Sequence, residues 1–339
     1  IHRSKSENFM SNSTSNDEYS ARVRETDDAA EQEGSLSGRP FEVRSATGGL
    51  FRGLLSDKSG VFGLVVLAIL GLTAIFAPFL APYGPAEGTL SSADLPPFWS
   101  DGGSWSFVLG TDLQGYDMLS RLIYGLRTTL FISSMVVVIA GSVGITLGLI
   151  SGYIGGRTDR WISGWTDVQV AFPGLLIAMI MIAVLGGSTW TLIFVLAFNG
   201  WMVFARMTRG VVMSVKQEAY VEAAELIGAK TTRIMFKHIL PNLTSALLTL
   251  GVLEFARIIL AEATLSFLGL GLQFPDVSLG VVANMGRDAI FSDPRLSVIP
   301  GIVVSALVLA MNFVASWLRV ALDPRERDKR FASRAVAGM

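Results

Sequence analysis

The sequence is uncharged throughout residues 168–205, which read VQVAFPGLLIAMIMIAVLGGSTWTLIFVLAFNGWMVFA. A transmembrane helix needs about 20 consecutive apolar residues, so this run is too long for one crossing of the bilayer. The short sequence GGST at 186–189 favours a turn within the run. We therefore predict a hairpin of two transmembrane helices. Pro173 removes one backbone hydrogen bond, and we expect it to kink the first of the two.

Further apolar runs lie on both sides of this hairpin. Of the 339 residues, 51% are hydrophobic and only 16% are charged, whereas soluble domains usually carry about 25% charged residues. We therefore predict an all-α, polytopic membrane protein with six transmembrane helices. The predicted spans are residues 61–81, 128–153, 162–185, 190–207, 244–268 and 297–318.

Lys and Arg are concentrated in a few segments of the chain. Eight of them precede residue 59, two lie in 154–161, six lie in 206–240 and six follow residue 318. Positive residues are retained on the cytoplasmic side of a membrane protein. We therefore expect both termini and the segment 206–242 to be cytoplasmic.

The same patterns divide the chain into a membrane domain and two tails. Residues 1–50 are rich in Ser, Asn and charged residues and contain few large apolar ones, which is typical of disorder. We predict a disordered cytoplasmic tail over 1–50, a transmembrane domain over 51–325 and a cytoplasmic tail over 326–339. The transmembrane domain is expected to carry an external loop over 82–126 and a cytoplasmic loop over 206–242.

Two local patterns predict how the helices pack. Apolar residues recur with helical spacing within the external segment, where we expect a short interfacial helix over 115–126. In the second span, small residues recur at every fourth position and allow another helix backbone to approach closely. These small residues are Ala140, Gly144, Gly148, Gly152 and Gly156.

Several kinds of chemistry are not expected of this chain. It has no cysteine, and its only histidines are His2 and His238, so neither disulfides nor a transition-metal site is predicted. The phosphate-binding pattern G-x-x-x-x-G-K-[ST] is absent, so we expect no ATP hydrolysis by that route. No catalytic residue, metal ligand, bound cofactor or nucleic-acid partner is assigned to it.

A basic, amphipathic segment interrupts the apolar runs at residues 222–242, which read EAAELIGAKTTRIMFKHILPN. We expect the preceding helix to continue to Ile227 and the chain to turn at Gly228. A second short helix should follow, capped by Thr231 or Thr232.

This second short helix carries an apolar stripe, and Pro241 suits the first turn of the span that follows it. We expect the stripe to be exposed at the membrane surface and to need a protein partner. The alternative is that it lies on lipid headgroups or on the protein's own helix ends. The stripe consists of Ile234, Met235, His238 and Ile239.

Three separate segments resemble one protein family. The segment 222–242 resembles the cytoplasmic EAA loop of ABC importer permeases. The sequences LGTDLQGYDMLSRLIYGLR at 109–127 and ILAEATLSFLGLGLQFP at 259–275 resemble the C-type permease subunit of bacterial dipeptide and oligopeptide importers. The chain departs from the family pattern at His238 and Tyr116. The residues that match the EAA loop are Glu222, Ala223, Ala224, Gly228, Leu240 and Pro241.

The resemblance implies the type I fold of ABC importer permeases and a place in the lipid bilayer of the bacterial inner membrane. It implies as partners a homologous second permease subunit, two ATPase subunits that bind ATP and Mg, and an extracytoplasmic substrate-binding protein. The implied substrates are dipeptides or oligopeptides, with nickel chelates as an alternative. The segment 222–242 would couple the permease to the ATPases. The implied coupling residues are Glu222, Ala223, Ala224, Gly228, Ile234, Met235, His238, Leu240 and Pro241.

Three charged residues fall inside the predicted fifth span. Charges within a bilayer are costly and usually face a protein interior or a wet cavity. Glu254 and Arg257 are three residues apart, so they share a helical face and can pair, whereas Glu262 points elsewhere. One interpretation is a polar lining for a peptide pathway. The other is that Glu254 and Arg257 form a structural ion pair between helices.

Two further classes of function are compatible with the sequence. An ion-coupled secondary transporter would use the three charged residues of the fifth span as a relay. Such a transporter should contain inverted repeats, and no convincing internal repeat is present in the sequence. A non-transporting membrane scaffold would use the segment 222–242 only to recruit a soluble protein.

Overall fold

The computed structural model describes residues 57–322, which are helical apart from loops and two isolated bridges. The predicted tails over 1–50 and 326–339 lie outside the described residues. In chain order the helices are α1 (Lys58–Ile75), α2 (Ala77–Leu80), α3 (Met118–Ile154), α4 (Gly156–Val170), α5 (Gly174–Leu185), α6 (Thr189–Val215), α7 (Ala219–Leu226), α8 (Thr231–Phe267), α9 (Leu279–Met285) and α10 (Arg295–Leu322).

Five of these helices, α1, α3, α6, α8 and α10, are long and apolar enough to cross a membrane. The predicted third span, 162–185, is divided between α4 and α5, whose axes differ by 85°. Pro173 directly precedes the first turn of α5. Because proline lacks a backbone N–H and disfavours helix in the residue before it, the chain breaks here. The predicted kink is confirmed, and the six predicted spans correspond to five spanning helices and one bent pair.

The helix α3 begins earlier than predicted. Asp117 caps it by accepting a hydrogen bond from the Ser120 N–H at 2.8 Å. Residues 118–126 are therefore the first turns of α3, and Leu126 is buried among the other helices. The predictions of a separate interfacial helix over 115–126 and of a loop that reaches residue 126 are wrong, because the apolar residues here face the bundle.

The helix α8 also differs from the prediction, because the expected short helix and the fifth span form one continuous helical segment. A π-helical stretch, Ile234–Ile239, lies just before Pro241, which has no N–H with which to bond the preceding turn. The N-cap residue is Lys230, and no side chain caps the helix. The predicted cap at Thr231 or Thr232 is therefore wrong.

The small-residue stripe of α3 packs along α6. A Cβ atom added to Gly148 would lie 2.6 Å from the Ala205 carbonyl oxygen, and one added to Gly152 would lie 2.9 Å from the Arg209 carbonyl oxygen. Gly156 is exposed, with open space around it, and takes no part in the contact. The predicted packing role is confirmed for Ala140, Gly144, Gly148 and Gly152.

The helices bring their connecting segments to two ends of the bundle. At one end, called the loop end, the turn between α5 and α6 contacts the segment 268–294. Arg295 at the start of α10 fastens the segment 82–117 there by donating to the Leu109 carbonyl oxygen at 2.9 Å. The opposite end, called the elbow end, holds the segment 216–230 between α6 and α8.

We expect Gly148→Ala to destabilise the folded chain by about 1–3 kcal/mol, because the new methyl group collides with the α6 backbone. Gly141→Ala is the matched control on the same helix, since its nearest neighbour would be Phe204 at 3.7 Å, an ordinary contact distance. Thermal unfolding of the detergent-purified variants measures the difference. Equal melting temperatures for the two variants would contradict the close approach of α3 and α6.

Candidate functional site

The chain between α6 and α8 forms a compact elbow, defined as residues 216–242. α6 ends at Val215 and does not continue to Ile227, because a turn separates it from α7. Gly228 has a φ of +76°, in the left-handed region that favours glycine. Its N–H donates to the Glu225 carbonyl oxygen at 2.9 Å, as in helix ends closed by glycine. The turn predicted at Gly228 is confirmed.

One side of the elbow is buried against the rest of the chain. Ile234, Met235 and Ile239 pack into one cluster with α3, α6 and α7, and Ile239 is 0% exposed. His238, the fourth residue of the stripe, is only partly buried. The prediction that this stripe is exposed and needs a protein partner is wrong. The protein's own helix ends cover it with the side chains of Leu149, Tyr153, Val212, Val221 and Ala224.

The opposite side of the elbow is uncovered. Ile227 is 85% exposed and Leu226 is 82% exposed, although both are large and apolar. Phe236 is half exposed, and Glu222 and Ala223 are exposed as well. These five residues are called the outer face of the elbow.

Leu226, Ile227 and Phe236 were not among the site residues predicted from the sequence. A signal for the first two was present, because Val221 and Ala224 share one face of α7 and both are buried. At 100° per residue, positions 226 and 227 fall well away from that face. Two adjacent large apolar residues turned away from the buried face indicate a contact surface.

Two polar contacts tie the elbow to α3, and a third joins two parts of the elbow itself. The Tyr153 hydroxyl at the end of α3 donates to Glu225 Oε1 at 2.7 Å. Lys216 Nζ donates to the Tyr153 carbonyl oxygen at 2.8 Å. Asn242 Nδ2 donates to the Tyr220 hydroxyl at 2.7 Å. The elbow is therefore fastened to α3 by hydrogen bonds as well as by its buried side chains.

Glu254 and Arg257 pair as predicted. Arg257 Nε donates to Glu254 Oε2 at 2.7 Å, and Nη2 lies 2.6 Å from the same oxygen. The pair lies within α8, so the interpretation of an ion pair between helices is not supported. Glu254 is buried, whereas the Arg257 side chain is 48% exposed.

Glu262 lies apart from this pair and is fully buried. Its Oε2 accepts a hydrogen bond from Thr129 Oγ1 of α3 at 3.0 Å, and its Oε1 accepts one from Ser266 Oγ at 2.7 Å. The Leu279 N–H of α9 donates in turn to Thr129 Oγ1 at 3.2 Å. Glu262 therefore connects α8 with α3 and the start of α9 at the loop end. The structure does not bring the three charged residues of α8 into one site.

The elbow and the charged residues of α8 lie within a segment that matches a known protein family. Residues 144–328 match the family described as the binding-protein-dependent transport system inner membrane component. The chain belongs to this family of permeases. Residues 46–97 of the permease match the N-terminal transmembrane domain of oligopeptide transport permease C.

Curated relatives match most of the permease. It is 36% identical over 269 residues to the dipeptide transport system permease protein DppC of Haemophilus influenzae, covering 79% of this chain and 91% of the relative. It is 38% identical over 272 residues to the di/tripeptide permease protein DppC of Pseudomonas aeruginosa, covering 80% and 90%. It is 36% identical over 272 residues to the oligopeptide permease protein OppC of Bacillus subtilis, covering 80% and 87%.

A solved structure supports the fold. The permease superposes on a chain of the inward-facing MetNI methionine ABC transporter with a TM-score of 0.52 and 16% identity, covering 61% of this permease and 98% of that chain. The predicted type I ABC importer permease fold and the predicted inner-membrane location are confirmed. The roles predicted for individual residues of the elbow and of α8 stay predictions.

We expect Glu262→Ala to destabilise the permease by about 1–3 kcal/mol, because it leaves buried hydroxyl groups without their acceptor. Glu262→Gln should cost less, since its amide oxygen can still accept one hydrogen bond. Glu222→Ala is the control, because Glu222 is exposed on the elbow. Melting temperatures in detergent would rank the variants, and an unchanged value for Glu262→Ala would contradict a structural role.

Proposed function

We propose that this permease forms half of the translocation pathway of an ATP-driven ABC importer for dipeptides or oligopeptides. The proposed partners are a homologous second permease subunit, two ATPase subunits and an extracytoplasmic substrate-binding protein. ATP and Mg are bound by the ATPases, and this chain is a non-catalytic subunit without a cofactor. The observation that carries the proposal is the elbow, whose apolar outer face is left uncovered by the rest of residues 57–322.

The outer face of the elbow suits a groove in an ATPase subunit. Leu226 and Ile227 are exposed, and burying apolar surface stabilises a complex by about 25 cal/mol per Å² before the costs of association. Ala223 allows a close approach beside the carboxylate of Glu222. We assign contact with the ATPase to these residues together with Phe236. The other predicted coupling residues, Ala224, Gly228, Ile234, Met235, His238, Leu240 and Pro241, shape and position the elbow.

The elbow can transmit force because it is attached to the helices at several points. The hydrogen bond from Tyr153 to Glu225 connects it with α3, and its buried stripe is part of α8 itself. Closure of the two ATPases around ATP would displace both helices together. This movement would switch the pathway between its two access states.

The charge distribution supports a cytoplasmic elbow end and an external loop end. The segment 82–117 contains no Lys or Arg, and its acidic residues are Glu87, Asp94, Asp101, Asp112 and Asp117. Six Lys and Arg residues lie in 206–240 at the elbow end. By the positive-inside rule, the elbow and both termini face the cytoplasm.

The substrate class follows from the relatives, whose names describe transport of dipeptides, di/tripeptides and oligopeptides. A nickel chelate is the alternative substrate. An ion-coupled relay is disfavoured, because Glu262 is hydrogen-bonded at the loop end, away from Glu254 and Arg257. We therefore propose peptide import driven by ATP.

We expect Ile227→Asp to lower ATP-driven uptake at least about 10-fold without changing the melting temperature, because it places a charge in the proposed apolar contact. Ile239→Ala is the paired variant on the buried side and should destabilise the fold by about 2–5 kcal/mol. Co-purification of the ATPases and uptake in proteoliposomes measure coupling. Wild-type uptake by Ile227→Asp would contradict docking through the outer face.

We expect the complex isolated from native membranes to contain the second permease, the ATPases and the binding protein. After reconstitution it should import labelled dipeptides or oligopeptides when ATP and the binding protein are supplied. Uptake driven by a proton gradient without ATP would instead indicate a secondary transporter. Uptake of a nickel chelate without peptide uptake would favour the alternative substrate, and no uptake of either would favour a scaffold.

A further inference from the structure

The break between α4 and α5 lies at membrane depth. α5 has 12 residues, or about 18 Å of helix, which is shorter than the roughly 30 Å of hydrocarbon. Non-helical backbone at this depth is tolerated only where it is buried in protein or lines a wet cavity. Phe172 in the break is 57% exposed, so the rest of residues 57–322 does not bury it. The break therefore faces either a partner or a cavity.

Two buried side-chain amides next to the break each have an unused acceptor. Asn199 and Gln169 are both 6% exposed. Their nitrogen atoms donate to the carbonyl oxygens of Val195 at 3.0 Å and of Phe198 at 2.5 Å. Asn199 Oδ1 and Gln169 Oε1 have no hydrogen-bond partner among the described residues. A buried acceptor without a donor costs free energy, and a ligand that carries N–H groups would remove this cost once a movement of the neighbouring α5 opened these oxygens to it.

Asn199 Oδ1 lies close to the start of α5, and Arg257 approaches Gly200, the residue next to Asn199 on α6. A Cβ atom on Gly174, the first residue of α5, would lie 3.6 Å from Asn199 Oδ1. A Cβ atom on Gly200, next to Asn199 on α6, would lie 3.9 Å from Arg257 Nη2. Asn199 and Arg257 are each about ten residues, or about 15 Å, from the loop end of their helices. The break, the amides and the guanidinium therefore share one level near the middle of the membrane.

The contacts with Glu254 do not use all the N–H donors of Arg257. Both of its contacts to Glu254 use the single oxygen Oε2, whereas a guanidinium carries five N–H donors in a planar fork. The side chain is also 48% exposed. A carboxylate could bind the remaining donors through two parallel hydrogen bonds, the arrangement that arginine favours. In the low dielectric of a membrane protein such contacts are stronger than in water.

We propose that the polar groups at this level form a binding site for the peptide in transit. In this site Arg257 binds a peptide carboxylate, while Asn199 and Gln169 accept hydrogen bonds from N–H groups of the peptide. The proposal rests on the function proposed above, because it takes a peptide as the solute. It assigns Glu254 to holding the Arg257 guanidinium when no peptide is present. It excludes Glu262 from the site, since both oxygens of Glu262 already accept hydrogen bonds, from Thr129 and Ser266.

The first test compares uptake of two forms of one peptide, one with a free C-terminal carboxylate and one with a C-terminal amide. The peptide is chosen so that the binding protein binds both forms. In the reconstituted complex, Arg257→Gln should lower the ratio of carboxylate to amide uptake about 10-fold, the effect of losing one charge-assisted hydrogen bond. Arg127→Gln is the matched control, since Arg127 is also an exposed arginine on a spanning helix. It should leave the ratio unchanged.

Two results of this test would overturn the site. The first is an unchanged uptake ratio in Arg257→Gln. The second is an equal loss for both peptides together with loss of the second permease on purification, which would show that Arg257 pairs with the partner subunit. A wild-type complex that imports no peptide would refute the proposed function. The site would then be tested only by measuring peptide binding, as follows.

The binding measurement uses the absence of cysteine from the chain. In the assembled complex, excess peptide should slow the reaction of Phe172→Cys with a maleimide at least about 5-fold, and Arg257→Gln in the same chain should abolish this protection. Leu248→Cys is the control, because Leu248 is exposed and lies on the opposite face of α8 from Arg257. Equal protection at both positions, or none at Phe172→Cys, would overturn the site.

Discussion

The burial of one side of the elbow is the contact on which every proposed movement of this permease depends. Ile234, Met235 and Ile239 interlock with the ends of α3, α6 and α7. Close-packed side chains have little room to yield, so they pass on a displacement without absorbing it. An elbow with an exposed stripe, as the sequence suggests, would attach to the bundle only through its two chain connections and its hydrogen bonds to Tyr153. The observed elbow is a rigid part of the bundle that leaves its apolar outer face exposed.

The continuity of α8 extends this rigidity into the membrane. The helix begins in the elbow, carries Arg257 about ten residues from its loop end and is held near that end by the hydrogen bond from Thr129 to Glu262. In the proposed importer, a push on the elbow would therefore tilt α8 about its loop end. Arg257 would move relative to α5, which belongs to a separate hairpin. Glu262 and the elbow have different tasks in this movement, one as a fixed point and the other as the point where force enters.

The features that the sequence predicted well depend on local constraints. Pro173 breaks a helix through its own covalent structure, and glycines at every fourth position leave a groove in α3 whichever helix fills it. The errors concern neighbours that are distant in sequence. Helical spacing showed that Ile234, Met235 and Ile239 share a face, but it could not show that α3 and α6 cover that face. The apolar residues of 115–126 were assigned to the membrane surface for the same reason.

The polar groups near the middle of the membrane are the feature that the sequence predicts least, because they are recognised by hydrogen bonds that two amide oxygens do not make. Asn199 and Gln169 look like ordinary polar residues within the uncharged run 168–205, and only the folded chain leaves their oxygens buried and unpaired. Each such oxygen costs about 1–3 kcal/mol, so a role in stability alone does not account for two of them. An apolar side chain at either position would remove the cost. The proposed site accounts for their presence, since a peptide supplies the missing donors only while it is being transported.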